Sequence, residues 1–95
     1  MATYVILSVV SPEAFSNPKD FRSIAQKVSD LIKRECPQVK WKASYATFGR
    51  FDVVDIVEAD DPRQVARAAA IIRAYGHATT ETMEATEWKH FLESL

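Results

Sequence analysis

The chain has 95 residues, 47% of them hydrophobic and 26% charged, the balance of an ordinary soluble globular protein; folding at this length buries only about 60–68% of the unfolded surface, so a single domain over residues 1–95 with one modest core is expected. Twelve basic and thirteen acidic side chains leave a net charge of −1, which gives no field to gather phosphate backbones and excludes nucleic acid as an expected partner. No apolar stretch is long enough to cross a bilayer, and a lone Cys36, without an intramolecular disulfide partner, fits a reducing cytoplasm.

Tyr4 to Val10 is a nearly unbroken β-branched and aliphatic run, the pattern of a strand covered on both faces. The opening "MATYVILSVV" has no basic n-region or small-residue cleavage site and reads as this strand, not as a signal peptide. The loop "SPEAFSNPKD" carries Asn17 before Pro18, an N-cap side chain followed by a proline at the first helical position. Phe21, Ile24, Val28, Leu31 and Ile32 then recur at helical spacing until Pro37 stops the helix. The basic residues nearby, Lys33, Arg34, Lys40 and Lys42, are interrupted by Glu35 and read as a solvated helix end and strand edge.

Two strands, Val39 to Phe48 and Phe51 to Ala59, meet across Gly49 and Arg50. A two-residue linker beginning with glycine predicts a type II′ hairpin turn, with Gly49 at positive φ. Phe48 then lies opposite Phe51, Ser44 opposite Asp55, Tyr45 opposite Val54 and Trp41 opposite Glu58. One face carries Ser44, Asp55 and Lys42 with apolar neighbours; the other carries Tyr45, Trp41, Val54 and Ile56. Both faces are substantially apolar, yet a single layer of helices covers only one, so the second calls for another subunit.

Asp61 before Pro62 repeats the cap, and Val65, Ala69, Ile72 and Tyr75 form the stripe of a second helix that ends with Gly76 at C′. His77 to Ala85 reads as a last strand, and Thr86 as the cap of a short helix bearing Trp88, Phe91, Leu92 and Leu95. The order βαββαβ plus a C-terminal helix predicts an α+β fold: a ferredoxin-like four-stranded antiparallel sheet with helices on one face.

With these elements placed, "TFGRFDVVDIVEADDP" resembles the Thr-x-Gly-Arg-Tyr-Asp hairpin, hydrophobic strand and acidic-Pro helix start of the GYD domain family; "TTETMEA" and "ATYVIL" resemble that family's last and first strands. The resemblance implies a dimeric α/β barrel, a homodimer whose sheets face each other around an interior cavity. It implies no established activity, since the wider superfamily includes cofactor-free oxygenases, isomerases and haem enzymes. Two positions depart from the pattern. Phe51 stands where the motif has tyrosine, and Asp55 where an apolar or small residue is usual.

Gly49, Arg50, Phe51 and Asp52 read as an architectural motif, Asp52 accepting from backbone N–H groups or from Thr47 and Arg50 solvated or paired at the turn tip. Asp55 is different, because a carboxylate amid apolar strand residues needs partners: it is hydrogen-bonded across a dimer interface or lines a wet cavity. Asp55, Ser44, Tyr45 and His77 are the candidate ligand-binding residues, and Trp41 and Tyr4 can line a pocket for a flat apolar ligand. His77 and His90 lie on different elements without a third ligand at metal spacing, so neither a metal nor another cofactor is expected. Ser44 lacks a base, and Cys36 at a helix C-terminus has its thiolate disfavoured. The expected function is therefore a cytoplasmic homodimer that binds a small apolar or aromatic metabolite in the inter-sheet cavity. The alternative is a cofactor-independent monooxygenase or isomerase acting on an aromatic or lactone-like substrate, with Asp55, Tyr45 or His77 handling a proton.

Overall fold

In the computed structural model, which describes residues 1–14 and 17–95, the opening apolar run forms β1 (Ala2–Val10). A 3₁₀ turn (Pro12–Ala14) follows, then α1 (Pro18–Glu35), β2 (Lys40–Ala46), β3 (Val53–Ala59), α2 (Pro62–Gly76), β4 (Ala78–Ala85) and α3 (Trp88–Glu93). Positions 15 and 16 of the first loop lie outside the described residues. The strands make one antiparallel sheet in the order β2-β3-β1-β4, with the most apolar strand, β1, inside it.

Both long helices start as their sequences dictate. Asn17 Oδ1 accepts from the Lys19 and Asp20 N–H groups at 2.9 and 3.2 Å, and Asp61 Oδ1 accepts from the Arg63 N–H at 2.9 Å, each just ahead of a proline that has no N–H to lose. The C-terminal ends differ from expectation. Helix α2 runs through Gly76, and His77 takes the left-handed conformation, φ 53° and ψ 49°, that was expected of Gly76. Glu87, not Thr86, caps α3, its carboxylate accepting from the Lys89 and His90 N–H groups at 3.3 Å each.

The two faces of the sheet have different fates. Tyr4, Ile6 and Ser8 of β1 and Asp55, Val57 and Ala59 of β3 point to the helix side and are buried. Helix α2 lies directly on this face, its Ala68 and Ala69 allowing close approach and its Val65 and Ile72 filling the core. Burying side chains such as Ile6, Val57 and Val65 contributes about 1.5–3 kcal/mol each. Helix α1 packs chiefly on α2, and its C-terminal half, through Val28 and Ile32 and with the buried Cys36 just past its end, joins the core. Opposite, Val5, Leu7, Val54, Ile56 and Tyr45 form an uncovered apolar face.

The hairpin corrects two expectations. Its strands stop at Ala46 and Val53, so residues 47–52 form a wider connection, and no glycine in the described chain has positive φ; the type II′ turn is absent. The polar residues of the loop override it. Thr47 N–H donates to the Asp52 carbonyl (2.9 Å), Thr47 Oγ1 donates to the Phe51 carbonyl (2.5 Å), and Asp52 N–H donates to the Ser8 carbonyl (2.8 Å), tying the loop to β1. The pairs Ser44 with Asp55 and Tyr45 with Val54 hold, but a bulge between Trp41 and Ala43 puts Trp41 opposite Val57 instead of Glu58. Such an extra residue is common on an edge strand, where one side of the ladder is unpaired. It turns Trp41 to the helix side and leaves Lys42 near Glu58 (Nζ to carboxylate 3.9 Å), the reverse of the expected faces.

Candidate functional site

Where α1 stands off the sheet, a cavity opens. This pocket of about 420 Å³ lies between the α1 stripe (Phe21, Ile24, Val28, Ile32) and the helix-side face of the sheet (Val10, Val53), with Val39 just ahead of β2 and Ile72, Gly76 and Ala78 completing the lining. That volume and its mostly hydrocarbon lining suit a small organic ligand. The polar groups are few: Ser8, Trp41, Ser44 and Asp55 sit together on the sheet side, with Ser29 and Lys33 on α1.

Asp55 organises this cluster. It is only 6% exposed, and its Oδ1 accepts the Ser44 hydroxyl at 2.6 Å and the Trp41 indole N–H at 3.2 Å. The indole N–H is shared, since it also reaches Ser44 Oγ at 2.9 Å. Oδ2 carries no hydrogen bond among the described residues. Burial pushes the Asp55 carboxyl above its usual value, while the Ser44 and Trp41 hydrogen bonds pull it down. On neighbouring β1, Ser8 is 2% exposed and its Oγ has no hydrogen-bond partner. A buried hydroxyl left unmade costs about 1–3 kcal/mol. The sheet-side wall thus holds a carboxylate with one oxygen outside these hydrogen bonds and, beside it, a fully buried hydroxyl with no partner among the described residues.

The candidate residues read from the sequence do not all converge. Ser44 and Asp55 meet in the pocket. Tyr45 projects from the opposite, open face and is 60% exposed. His77 is exposed at the end of α2, where its backbone carbonyl accepts from the Ser11 N–H at 2.9 Å. Tyr4 belongs to the core, whereas Trp41 does line the pocket. This pocket lies between α1 and the sheet, and Asp55 faces it from the helix side, away from the uncovered face of the sheet. Its buried carboxylate is met within the chain. In the hairpin, Asp52 Oδ2 accepts from the Val10 N–H at 2.8 Å and not from Thr47, and the Arg50 guanidinium lies 5.5 Å from the Phe51 ring centroid. Among the described residues no three His, Cys, Asp or Glu side chains come together as a metal site would require.

Sequence reasoning missed Ser8 and misplaced Trp41. Ser8 had a signal: it is the polar residue inside "YVILSVV", at the same parity as Tyr4 and Ile6. Trp41 had none, because nothing in the local pattern announces the bulge that turns it.

A βαββαβ sheet with its two long helices on one face is a ferredoxin-like domain, here with a ligand-sized pocket under the first helix. The chain belongs to the GYD domain family, whose model matches residues 4–95. It is 32% identical over 89 residues, 90% of this chain and 88% of the relative, to a Thermus thermophilus protein named glutamine synthetase and cystathionine beta-lyase binding protein. Its fold is similar to the crystal structure of FFRP-DM1 (TM-score 0.60, 25% identity, 90% of this chain and 100% of that one). It is also similar to that of a hypothetical protein, PHS023, from Pyrococcus horikoshii (TM-score 0.53, 23% identity, 95% of each chain), a likeness of fold alone.

Proposed function

We propose that this GYD domain is a cytoplasmic homodimer that binds a small, mostly apolar or aromatic metabolite in the cavity between α1 and the sheet. The observation that carries the proposal is the pocket itself: a hydrocarbon cavity of about 420 Å³ with Asp55 Oδ2 and Ser8 Oγ left unmatched on one wall. The titratable side chains lining it are Asp55 and Lys33, on opposite walls, an arrangement that favours holding a ligand over the monooxygenase or isomerase alternative. The homodimer is supported by the uncovered apolar face of Val5, Leu7, Val54 and Ile56. Extraction of freshly purified protein followed by mass spectrometry tests the binding reading. A small molecule is expected from the native chain and is lost from Ala25→Trp, which fills the cavity from the α1 side; equal recovery from both chains would refute it.

A second reading comes from the Thermus relative, whose name states that it binds glutamine synthetase and cystathionine beta-lyase. On this reading the chain docks on such enzymes, and pocket occupancy reports a metabolite to them. Surface plasmon resonance against both enzymes from the same cell, with and without the extracted ligand, checks it: binding to neither enzyme rejects the docking reading and leaves the pocket reading standing.

A further inference from the structure

The two unmatched groups in the pocket have complementary needs. Asp55 Oδ1 is engaged twice, by Ser44 and by Trp41, whereas Oδ2 is without a partner among the described residues. The buried Ser8 hydroxyl, able to donate once and accept twice, also makes no hydrogen bond. Both side chains lie on the helix-side face of adjacent strands, where Ser8 pairs with Val53, two residues from Asp55. Such diagonal neighbours stand about 7–8 Å apart or somewhat less. A single oxygen making two hydrogen bonds of about 2.7–2.8 Å spans the distance between two side chains reaching toward each other from there.

We infer that the pocket's ligand is a largely hydrocarbon molecule whose buried polar group is a hydroxyl, an alcohol or a phenol, held between Asp55 Oδ2 and Ser8 Oγ. The inference rests on the binding reading above and deepens it. A hydroxyl combines a donor for the carboxylate with an acceptor for the serine, so both are satisfied at once. If Oδ2 is protonated in this apolar setting, the same hydroxyl accepts from it and donates to Ser8, so the match survives either protonation state. Other end groups fit less well. An ammonium has donors only and brings a second ion into hydrocarbon, on the same cavity as Lys33. A carboxylate has acceptors only and meets the charge of Asp55. A plain hydrocarbon end seals both polar groups away from water unsatisfied.

Four probes of one shape test this: 2-phenylethanol, 2-phenylethylamine, 3-phenylpropionate and ethylbenzene, titrated at pH 7 while amide shifts in ¹⁵N–¹H correlation spectra are followed. The alcohol is expected to bind about tenfold or more tightly than each of the other three, with shifts centred on Ile24, Val28, Val53 and Ala78. In Ser8→Ala and in Asp55→Asn the advantage of the alcohol over ethylbenzene is expected to shrink by at least about threefold. The spectra of the variants report directly whether each is folded, and Ser8→Ala removes only a hydroxyl that has no partner. If ethylbenzene or a charged probe binds as tightly as the alcohol at these residues, the hydroxyl inference is overturned while the pocket stands. If none of the four binds, or shifts centre elsewhere, the binding reading itself fails.

Discussion

Ser44 lies directly opposite Asp55 in the β2–β3 ladder and donates its hydroxyl to Asp55 Oδ1 at 2.6 Å, a length typical of a hydrogen bond to an ionised acceptor. One cross-strand pair thus joins the fold to the pocket. The bond exists because the register sets the two side chains on one face, and it holds a buried carboxylate in place on the wall of the cavity.

Replacing Ser44 by alanine is expected to destabilise the chain by about 1–3 kcal/mol at neutral pH, because a buried charge loses a donor. The Asp55 carboxyl is also expected to rise further, since the Ser44 bond now lowers it. Thermal melting measures the first effect and a ¹³C carboxyl titration the second. An unchanged titration would mean that Ser44 does not support the charged form.

Because burial raises the Asp55 carboxyl in the folded chain, the folded state holds a proton that the unfolded state has already released. Its contribution is therefore fully present below the unfolded value near 3.8 and is lost as pH rises through the higher folded value. Asp55→Asn keeps an oxygen to accept from Ser44 and Trp41 and cannot ionise. This variant is expected to melt at or above the native temperature at pH 7 and to show a flatter fall in stability from pH 4 upward. A native-like slope in the variant would assign that pH dependence to other groups.

The hairpin shows how far the sequence was legible. Caps at Asn17 and Asp61, the βαββαβ order and the opposition of Ser44 and Asp55 follow from short-range chemistry that propensity and periodicity express well. The turn type did not follow, because Asp52 and Thr47 bond outward to β1 and along the loop, and these contacts reach beyond a local reading. The site was half legible for the same reason. Asp55 stood out as a charge amid apolar residues, but the bulge at Lys42 and the standing-off of α1 arise only when β2 becomes an edge and α1 packs on α2.

Gly49→Ala is accordingly expected to change stability by no more than about 0.5 kcal/mol. No positive φ demands glycine there, and nothing lies within 4 Å of an added Cβ. A loss above about 2 kcal/mol in denaturant unfolding would restore the tight-turn reading.

His77 holds φ at 53°, a conformation that costs an ordinary side chain and costs glycine nothing. His77→Gly is expected to be neutral or stabilising by up to about 1 kcal/mol, with probe binding in the pocket unaffected. Loss of binding with retained stability would instead return His77 to the site.

The open face of the sheet supplies the sharpest test of assembly. Leu7 projects from β1 away from the core, flanked by Val54 across the ladder, whereas neighbouring Ile6 is fully buried under the helices. A charge at the two positions should therefore act in different ways. Leu7→Lys leaves the monomer core intact and places an ammonium in the middle of an apolar contact, so it is expected to convert a dimer into a folded monomer with native helix content. Ile6→Lys buries an unpaired charge and is expected to unfold the chain. Sedimentation equilibrium at micromolar concentration, with circular dichroism on the same samples, reads both outcomes. The native chain should sediment at twice its monomer mass and the Leu7 variant at the monomer mass. A native chain that is monomeric there would show that the apolar face waits for a different partner, and a Leu7 variant that remains dimeric would place the contact elsewhere on the surface.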